Sequence, residues 1–518
     1  MLVKKTSLGL RLKSGTNPFT HFPMPASVEA AQKKVLAYML RKGAQTEYGK
    51  RYHFSRISGF DEYVRQVPMV IYDDIEPYIE RLKKGEQYLL WPNKIQNFAV
   101  SAGTTGKGKH IPLSEDRLRS DQRFMRKVII SYIKQNPNFL HFFMGSHVSL
   151  PGNIERLDSK SNVRLGEISA YLAKLSPGWL SLFQVRSPQT MIREEWTEKF
   201  DRTLERAVHS DVRKIVAIPS WALRFFQRAL EITGKKHIRH IWPNLRLLIC
   251  GGEALNTYRS HFNQLLEGLD MDYIENYGAS ESYFAFSDDL KRTDLRLIVD
   301  NGVFYEWIPH PKQYKDNLQE QRTIPTWQVE KGIPYSLVVS SNSGLFRYMI
   351  NDVIEFTDLE QPRIQVIGRV SEIFDSFGEA VESYEAQNAL ETSAGQTHSE
   401  FSVFAMGGLI DPDIRAPRHY WFIQWVKEPE NIEEFTRLLD DNLRKINRHY
   451  HNRRESMGIH PPVILNLTKD AMYKWREKHQ SLHAQTKMPR ILDDEEKITD
   501  MILLCKGSTT DADKINVI

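Results

Sequence analysis

Three glycines, two adjacent threonines and two lysines crowd into SAGTTGKGKHIP, residues 101–112. Glycine lets backbone N–H groups come close to an anion, threonine hydroxyls donate hydrogen bonds, and lysine brings a mobile positive charge. These are the parts of a phosphate-handling loop. Read literally, Gly103 to Lys109 satisfies the G-x-x-x-x-G-K pattern of P-loop nucleotide hydrolases. His110, however, stands where that pattern needs a hydroxyl for Mg²⁺, and Pro112 follows. The apolar stripe of a helix begins only after Ser114, whereas a P-loop runs straight into its helix. Taken alone, the loop also reads as an ordinary Gly/Thr/Lys hairpin.

Further stretches carry polar groups at the ends of apolar runs. Tyr277-Gly278-Ala279-Ser280-Glu281 closes one, Gly251-Gly252-Glu253 another, Asp352 follows YMIN, and Gly368-Arg369 opens GRVSEIFDSFGEAVE. His479 and His483 have H-x-x-x-H spacing, but Gln480 replaces the glutamate of a zinc helix, so the pair reads as a solvated face. No G-x-S-x-G nucleophile elbow is present. Trp221, Phe225 and Phe226 follow Pro219 at helical spacing, as a core stripe or as the lining of an acyl pocket.

The elements that must position these groups follow from periodicity and caps. A strand at 94–100, with Ile95, Phe98 and Val100, leads into the loop. Before it, residues 1–92 read as largely helical: Ser27 caps a helix carrying Val35, Leu36, Met39 and Leu40, and Pro77 lies early in another that ends near Gly85. After the loop, Ser114 caps a helix with the stripe Leu118, Met125, Val128, Ile129, Tyr132 and Ile133, stopped by Asn136 and Pro137. Then strand-like FLHFFMG, KIVAIPS, LRLLICGG and DMDYIENYG alternate with helices at 196–209 and 221–232. That alternation predicts an α/β domain with a partly parallel sheet, whose ligands gather beyond the C-terminal strand ends. Runs at 302–307, 335–340 and 353–356 lack intervening helices and predict a small β-barrel or sheet attached to that body. Past a boundary at 368–378, strands at 401–406, 419–426 and 462–467 and helices at 432–446 and 470–478 predict a smaller α+β domain with a polar, mobile tail. The expected division is 1–370 and 371–518.

Composition narrows the function. The net charge of +5 comes from 70 basic and 65 acidic residues mixed along the chain, without the single-sign blocks of nucleic-acid arms. Cys250 and Cys505 are too few for a disulfide framework or a cysteine zinc site. No window reaches the roughly 18 apolar residues of a membrane span. A cytoplasmic protein without nucleic acid, membrane insertion or an obligatory protein partner is expected.

Taken in order with TEYGKRYHF (46–54), VPMVIYDDIEP (67–77), YLLWP (88–92), IPSW (218–221), GGEAL (251–255) and QTKMPR (485–490), the loop and the Tyr277, Asp352 and Arg369 stretches change the reading. The chain resembles the adenylate-forming superfamily, and within it the Gretchen Hagen three family of acyl-acid amido synthetases, auxin-responsive plant enzymes with bacterial relatives. The resemblance implies a large adenylate-forming domain, mixed sheets flanked by helices, and a mobile C-terminal lid. It implies ATP and Mg²⁺ as cofactors, a carboxylic-acid substrate and an amine acceptor, an amino acid above all. Ser101, Gly103, Thr104, Thr105, Gly106 and Lys109 would face the ATP phosphates. Gly252, Glu253, Tyr277 and Gly278 would meet adenine, and Ser280 the α-phosphate. Glu281 would bind Mg²⁺, Asp352 the ribose hydroxyls, and Arg369 ribose or phosphate. Ser371 and Gly378 would serve a hinge, and Lys487 would contact the adenylate from the C-terminal domain. This copy departs at Ala102, Met349 and Asn351, where the family has serine, arginine and glycine, and its loop is one residue short. Two alternatives stay open: a thioester-forming acyl-CoA ligase, against which the missing C-terminal G-K segment counts, and an inactive nucleotide-binding or partner-binding relative.

Overall fold

The computed structural model describes residues 27–101, 109–136, 143–159, 161–176, 182–253, 255–309, 321–369, 373–374, 376–377, 379, 381–411, 414, 416–479, 488–492 and 494–507. The helical start follows its caps. Ser27 Oγ accepts the Ala30 N–H (3.2 Å) at the head of Val28–Gly43, whose Leu36, Met39 and Leu40 are buried. The helix Tyr72–Lys83 begins earlier than its proline suggested. Asp74 accepts the Ile71 N–H (2.9 Å) and starts the helix there, so Pro77 lies inside it rather than in its first turn. The strand expected at FLHFFMG falls largely on residues outside the described ones; a strand stands just after it, at Ser146–Ser149.

Four strands run parallel, in the order Ser146–Ser149, Val212–Val216, Leu247–Gly251 and Asp272–Ala279. Their sheet does not stop there. Ser282–Phe286, Leu295–Leu297, Arg363–Arg369, Leu345–Asp358, Pro334–Ser341, Val303–Pro309 and Ile324–Pro325 continue it as seven antiparallel strands, which with the four parallel ones make a sheet of eleven among the described residues. Of the expected barrel or sheet attached to the α/β body, the described residues form a sheet, continuous with the main one. The short strand Leu295–Leu297 makes the difference: it pairs with Ser282–Phe286 on one side and Arg363–Arg369 on the other, and so joins the two halves into one sheet.

The helix Glu115–Gln135 packs Phe124, Val128 and Tyr132 against Leu247, Ile249, Ile274 and Phe286 of this sheet. In a separate core Phe225 and Phe226 are fully buried against Trp242, and Phe226 also meets Phe262. These two rings are core, not pocket lining. Trp221, half-buried, stacks edge-on against Trp196 at 4.3 Å.

A four-stranded sheet of Lys109–Leu113, Asn97–Ser101, Arg164–Gly166 and Ile154–Arg156 lies apart from the large one. The last third forms another, ordered His460–Asn466, Ala416–Lys427, Glu400–Asp411 and Ile491–Leu492, with the helices Ser383–Gln396, Ile432–Ile446 and Glu495–Gly507. Among the described residues no helix is long and apolar enough to cross a membrane.

Candidate active site

The glycine-rich stretch joins two paired strands. Ser101 stands opposite Lys109 in the antiparallel register of Asn97–Ser101 and Lys109–Leu113, and residues 102–108 connect them. The chain thus leaves the loop as a strand and enters a helix only at Glu115, which rules out the P-loop topology. Gly103, Thr104, Thr105 and Gly106 lie outside the described residues, and nothing is described of the Ser101 side chain.

Lys109 opens the second strand with its ammonium 5.7 Å from the centre of the Tyr72 ring. The Tyr72 hydroxyl accepts the His110 N–H (3.0 Å), and His110 Nδ1 lies 2.5 Å from Lys83 Nζ. Burial first and Lys83 second push the His110 pKa down, so the neutral ring accepts from the lysine.

Ser280 and Glu281 form the two-residue turn between Asp272–Ala279 and Ser282–Phe286, where Ala279 pairs with Ser282. A bulge between Tyr277 and Gly278 re-aims the strand end. A Cβ on Gly278 would stand 2.7 Å from Tyr283 Cδ1, so the hairpin closes only around a glycine. Fully buried Arg117 holds the turn from below: its Nη1 donates to the carbonyls of Ser280 (3.4 Å) and Glu281 (2.9 Å), while its Nε donates to buried Asp121 (3.0 Å). Arg117 was not among the expected site residues. Its signal was available, because Arg117, Asp121, Phe124 and Val128 repeat at three- and four-residue steps and put an ion pair on a buried stripe.

The Tyr277 hydroxyl donates to Asp352 Oδ2 at 2.7 Å, joining two of the expected residues across the sheet. The Tyr277 ring sits 5.2 Å from Phe284. Asp352 is buried and stands opposite Arg369 in the register of Leu345–Asp358 and Arg363–Arg369, so three expected positions meet at this end of the sheet. The left-handed residue described in that long strand is Arg347, φ 50°, whose guanidinium pairs with buried Glu306 (3.0 Å).

Glu281 is only 8 % exposed. Burial raises its pKa; its backbone N–H, Lys109 and a hydrogen bond from Tyr348 oppose the rise, and Asp352 adds to it. Lys109, Glu281, Tyr348 and Asp352, from three distant parts of the chain, therefore act on one another. Gly252 turns the chain with φ 84° after Leu247–Gly251, next to Glu253 and at the same end of the sheet as Tyr277. Ser371, Gly378 and Lys487 lie outside the described residues, as does His483. His479 is not solvated as expected: it packs on Trp475 at 5.1 Å and its Nε2 meets Asp500 at 2.6 Å. Among the described residues no group of three or more His, Cys, Asp or Glu side chains is placed to hold a metal.

Comparison with known proteins supplies the context. Models of the GH3 family N-terminal, central and C-terminal domains match residues 24–200, 296–369 and 384–496. Gly252, Glu253 and Tyr277 to Glu281 fall between the first two. The chain is 23% identical over 547 residues to indole-3-acetic acid-amido synthetase GH3.3 of Arabidopsis thaliana, covering 90% of each chain. It is 22% identical over 432 residues to indole-3-acetic acid-amido synthetase GH3.8 of Oryza sativa subsp. indica, covering 72% of this chain and 71% of that one. In fold it is similar to the GH3.15 acyl acid amido synthetase, with a TM-score of 0.74 at 18% identity over 92% of this chain and 93% of that one. It is also similar in fold to 2-hydroxyisobutyryl-CoA ligase in its postadenylation state, TM-score 0.57 at 12% identity, covering 95% and 98%. With all three domains matched in order, this chain belongs to the GH3 family.

Proposed function

We propose that the chain is an acyl-acid amido synthetase that adenylates a carboxylic acid with ATP, releasing pyrophosphate, and transfers the acyl group to an amine, an amino acid in our reading, releasing AMP. The observation that carries the reading is the meeting of Lys109, Glu281 and the Tyr277–Asp352 pair beyond the end of the strand Asp272–Ala279. Carboxylates are poor electrophiles at neutral pH, so amide formation needs an activated leaving group. The acid attacks the α-phosphorus and the bond to pyrophosphate breaks; the amine then attacks the acyl carbon and the bond to AMP breaks.

In this reading Lys109 and the Ser101, Gly103, Thr104, Thr105 and Gly106 backbone and hydroxyls stabilise the departing phosphates, a task of fixed donors and charge. Tyr277 and Gly278 bound the adenine with Gly252 and Glu253, Ser280 approaches the α-phosphate, Asp352 accepts from the ribose hydroxyls, and Arg369 closes the far side. Mg²⁺ keeps several waters and takes one or two carboxylates together with phosphate oxygens. A single desolvated Glu281 fits that habit, and the metal would neutralise charge on the phosphates. Arg117 keeps Glu281 in place through the turn's carbonyls. We divide the chain into an adenylation domain, 1–370, and a C-terminal lid, 371–518, bringing Lys487 to the adenylate, and we place the reaction in the cytoplasm. An amine acceptor is supported by the relatives' names, which are those of amido synthetases, and by the missing C-terminal G-K segment.

ATP–pyrophosphate exchange driven by a panel of carboxylic acids tests the first half-reaction. Mass spectrometry of products with amino acids or CoA as acceptor tests the second. No exchange with any acid while ATP still binds, or thioester as the only product, overturns the reading.

A further inference from the structure

Behind the proposed nucleotide site, the strand Asp272–Ala279 also lines a cavity of about 270 Å³. Leu255, Glu275 and Ser287 line it together with Tyr273 and Asp272, the last at the opposite end of the strand from Tyr277. Four charged residues line it, and two of them, of opposite sign, are Arg259 and Glu275. Arg259 lies over the Tyr273 ring at 5.1 Å, and its buried Nε has no hydrogen-bond partner among the described residues. Glu275 has one carboxylate oxygen held by the Leu255 N–H (3.0 Å). Arg259 and Glu275 influence each other electrostatically, yet no ion pair joins them within 4.0 Å among the described residues.

The other charges at the cavity are already satisfied. Arg292 is doubly bonded to Asp294 (2.8 and 2.6 Å). Asp272 accepts from Tyr132 (2.9 Å), Arg246 (3.1 Å) and Asn136 (3.2 Å). An arginine and a carboxylate that face one cavity without touching are complementary to a ligand carrying a carboxylate and an ammonium group. The volume is at the small end of ligand sites, too tight for a nucleotide. We propose that this cavity binds a free amino acid as its zwitterion, the ligand's carboxylate on Arg259 and its ammonium on Glu275, at a site separate from the reacting centre.

Burial pushes the Glu275 carboxyl up to about 7, and an ammonium partner removes that cost. Arg259 and Asn263 also line a larger cleft of about 650 Å³, which includes Glu400 and Val426 of the C-terminal sheet and offers a way in. The bond from Leu255, the last residue of GGEAL, ties Glu275 to the turn that carries Gly252 and Glu253. Occupancy therefore acts on nucleotide affinity, a consequence that rests on the amido-synthetase reading; the binding itself does not.

Isothermal titration of the full-length protein, without ATP so that no turnover occurs, tests the site with each of the twenty amino acids and with acetate and ethylamine as half-ligands. One amino acid per chain is expected to bind, with both half-ligands weaker. Arg259→Met and Glu275→Gln should each weaken that binding about tenfold or more, the loss of one charge-assisted hydrogen bond. AMP should still bind both variants. If both fail to fold, Asn263→Asp at the exposed mouth places a negative charge beside the ligand carboxylate and should weaken binding similarly. Absence of binding by every amino acid, or binding untouched by the substitutions, overturns the proposal. Pyrophosphate exchange is measured on the same preparations: exchange without such binding overturns this inference alone, whereas binding that depends on Arg259 without exchange overturns the synthetase reading alone.

Discussion

Asp294 and Glu281 are both buried carboxylates just outside strands of the large sheet, and the chain treats them in opposite ways. Asp294 accepts from Arg292 twice (2.8 and 2.6 Å), from Arg363 Nε (2.7 Å) and from Thr357 (2.7 Å). The Arg292 hydrogen bonds first, then Thr357 and Arg363, hold its carboxyl well below the usual range against the cost of burial. Among the described residues no arginine is among the main influences on the Glu281 carboxylate; burial dominates and lifts its pKa, with its own backbone N–H, Lys109 and Tyr348 only partly offsetting it. A structural carboxylate is completed inside the chain. One that is desolvated and left short of positive charge is poised for a cation brought from outside.

The contrast can be broken by substitution. Glu281→Gln and Lys109→Ala should each lower acid-dependent pyrophosphate exchange by about a hundredfold or more, the scale for losing a preorganised charge at a reacting centre. Circular dichroism should stay native, and Glu281→Gln should leave the ligand-free thermal midpoint equal or higher, because a neutral amide is easier to bury. A large fall in that midpoint would place Glu281 with the structural carboxylates. Asp294→Asn should do the reverse, losing about 3 kcal/mol in denaturant titration, as when one partner of a buried pair is removed, with the KM for ATP unchanged.

The two groups should also differ in sign with pH. A carboxyl whose folded pKa is lowered contributes stability that is present at neutral pH and lost as pH falls through its depressed range, which is the case of Asp294. A raised carboxyl favours the fold while protonated, and that contribution is lost as pH rises, which is the case of Glu281. Denaturant midpoints of the two single variants against the parent across pH check both slopes. Exchange activity should fall on acidification at a pH above the ordinary glutamate value of about 4.3, and raising Mg²⁺ should move that limb down.

The smallest effect is expected for Tyr348→Phe. Its hydroxyl bonds Glu281 and lowers the carboxyl's pKa, so removal costs about 1 kcal/mol and shifts the acid limb of activity upward. An unmoved limb would detach Tyr348 from Glu281's ionisation.

Much of the site was legible because its signals are local. Ser27 and Ser114 act as caps through side-chain oxygens next to their own helices, and the strand into the loop, the turn at Tyr277 to Glu281 and Asp352 stand where their motifs put them. His110 and Pro112 already argued against a P-loop, and the strand register bears that out. The helix Ser383–Gln396 was missed because SYEAQNALETSAGQ buries small and polar residues, Ala386, Ala389, Ala394, Ser383, Ser393 and Glu385, with Leu390 its one large apolar buried side chain, and so offers little apolar contrast. Pro77 misled because a proline marks helix starts only on average, and the Asp74 cap overrode it.

By itself the sequence determined which residues could handle phosphate, where their strands and helices lie, and that a parallel α/β sheet organises them. Only the tertiary structure decided that the antiparallel strands extend that same sheet, that Phe225 and Phe226 belong to the core, and that Arg117 clamps the turn bearing Glu281. It also decided the environment of Glu281, whose pKa depends on Lys109, Tyr348 and Asp352. The physical reason is range: caps, turns and periodicity are set within a few residues, whereas strand pairing, burial and electrostatic coupling join groups up to hundreds of positions apart.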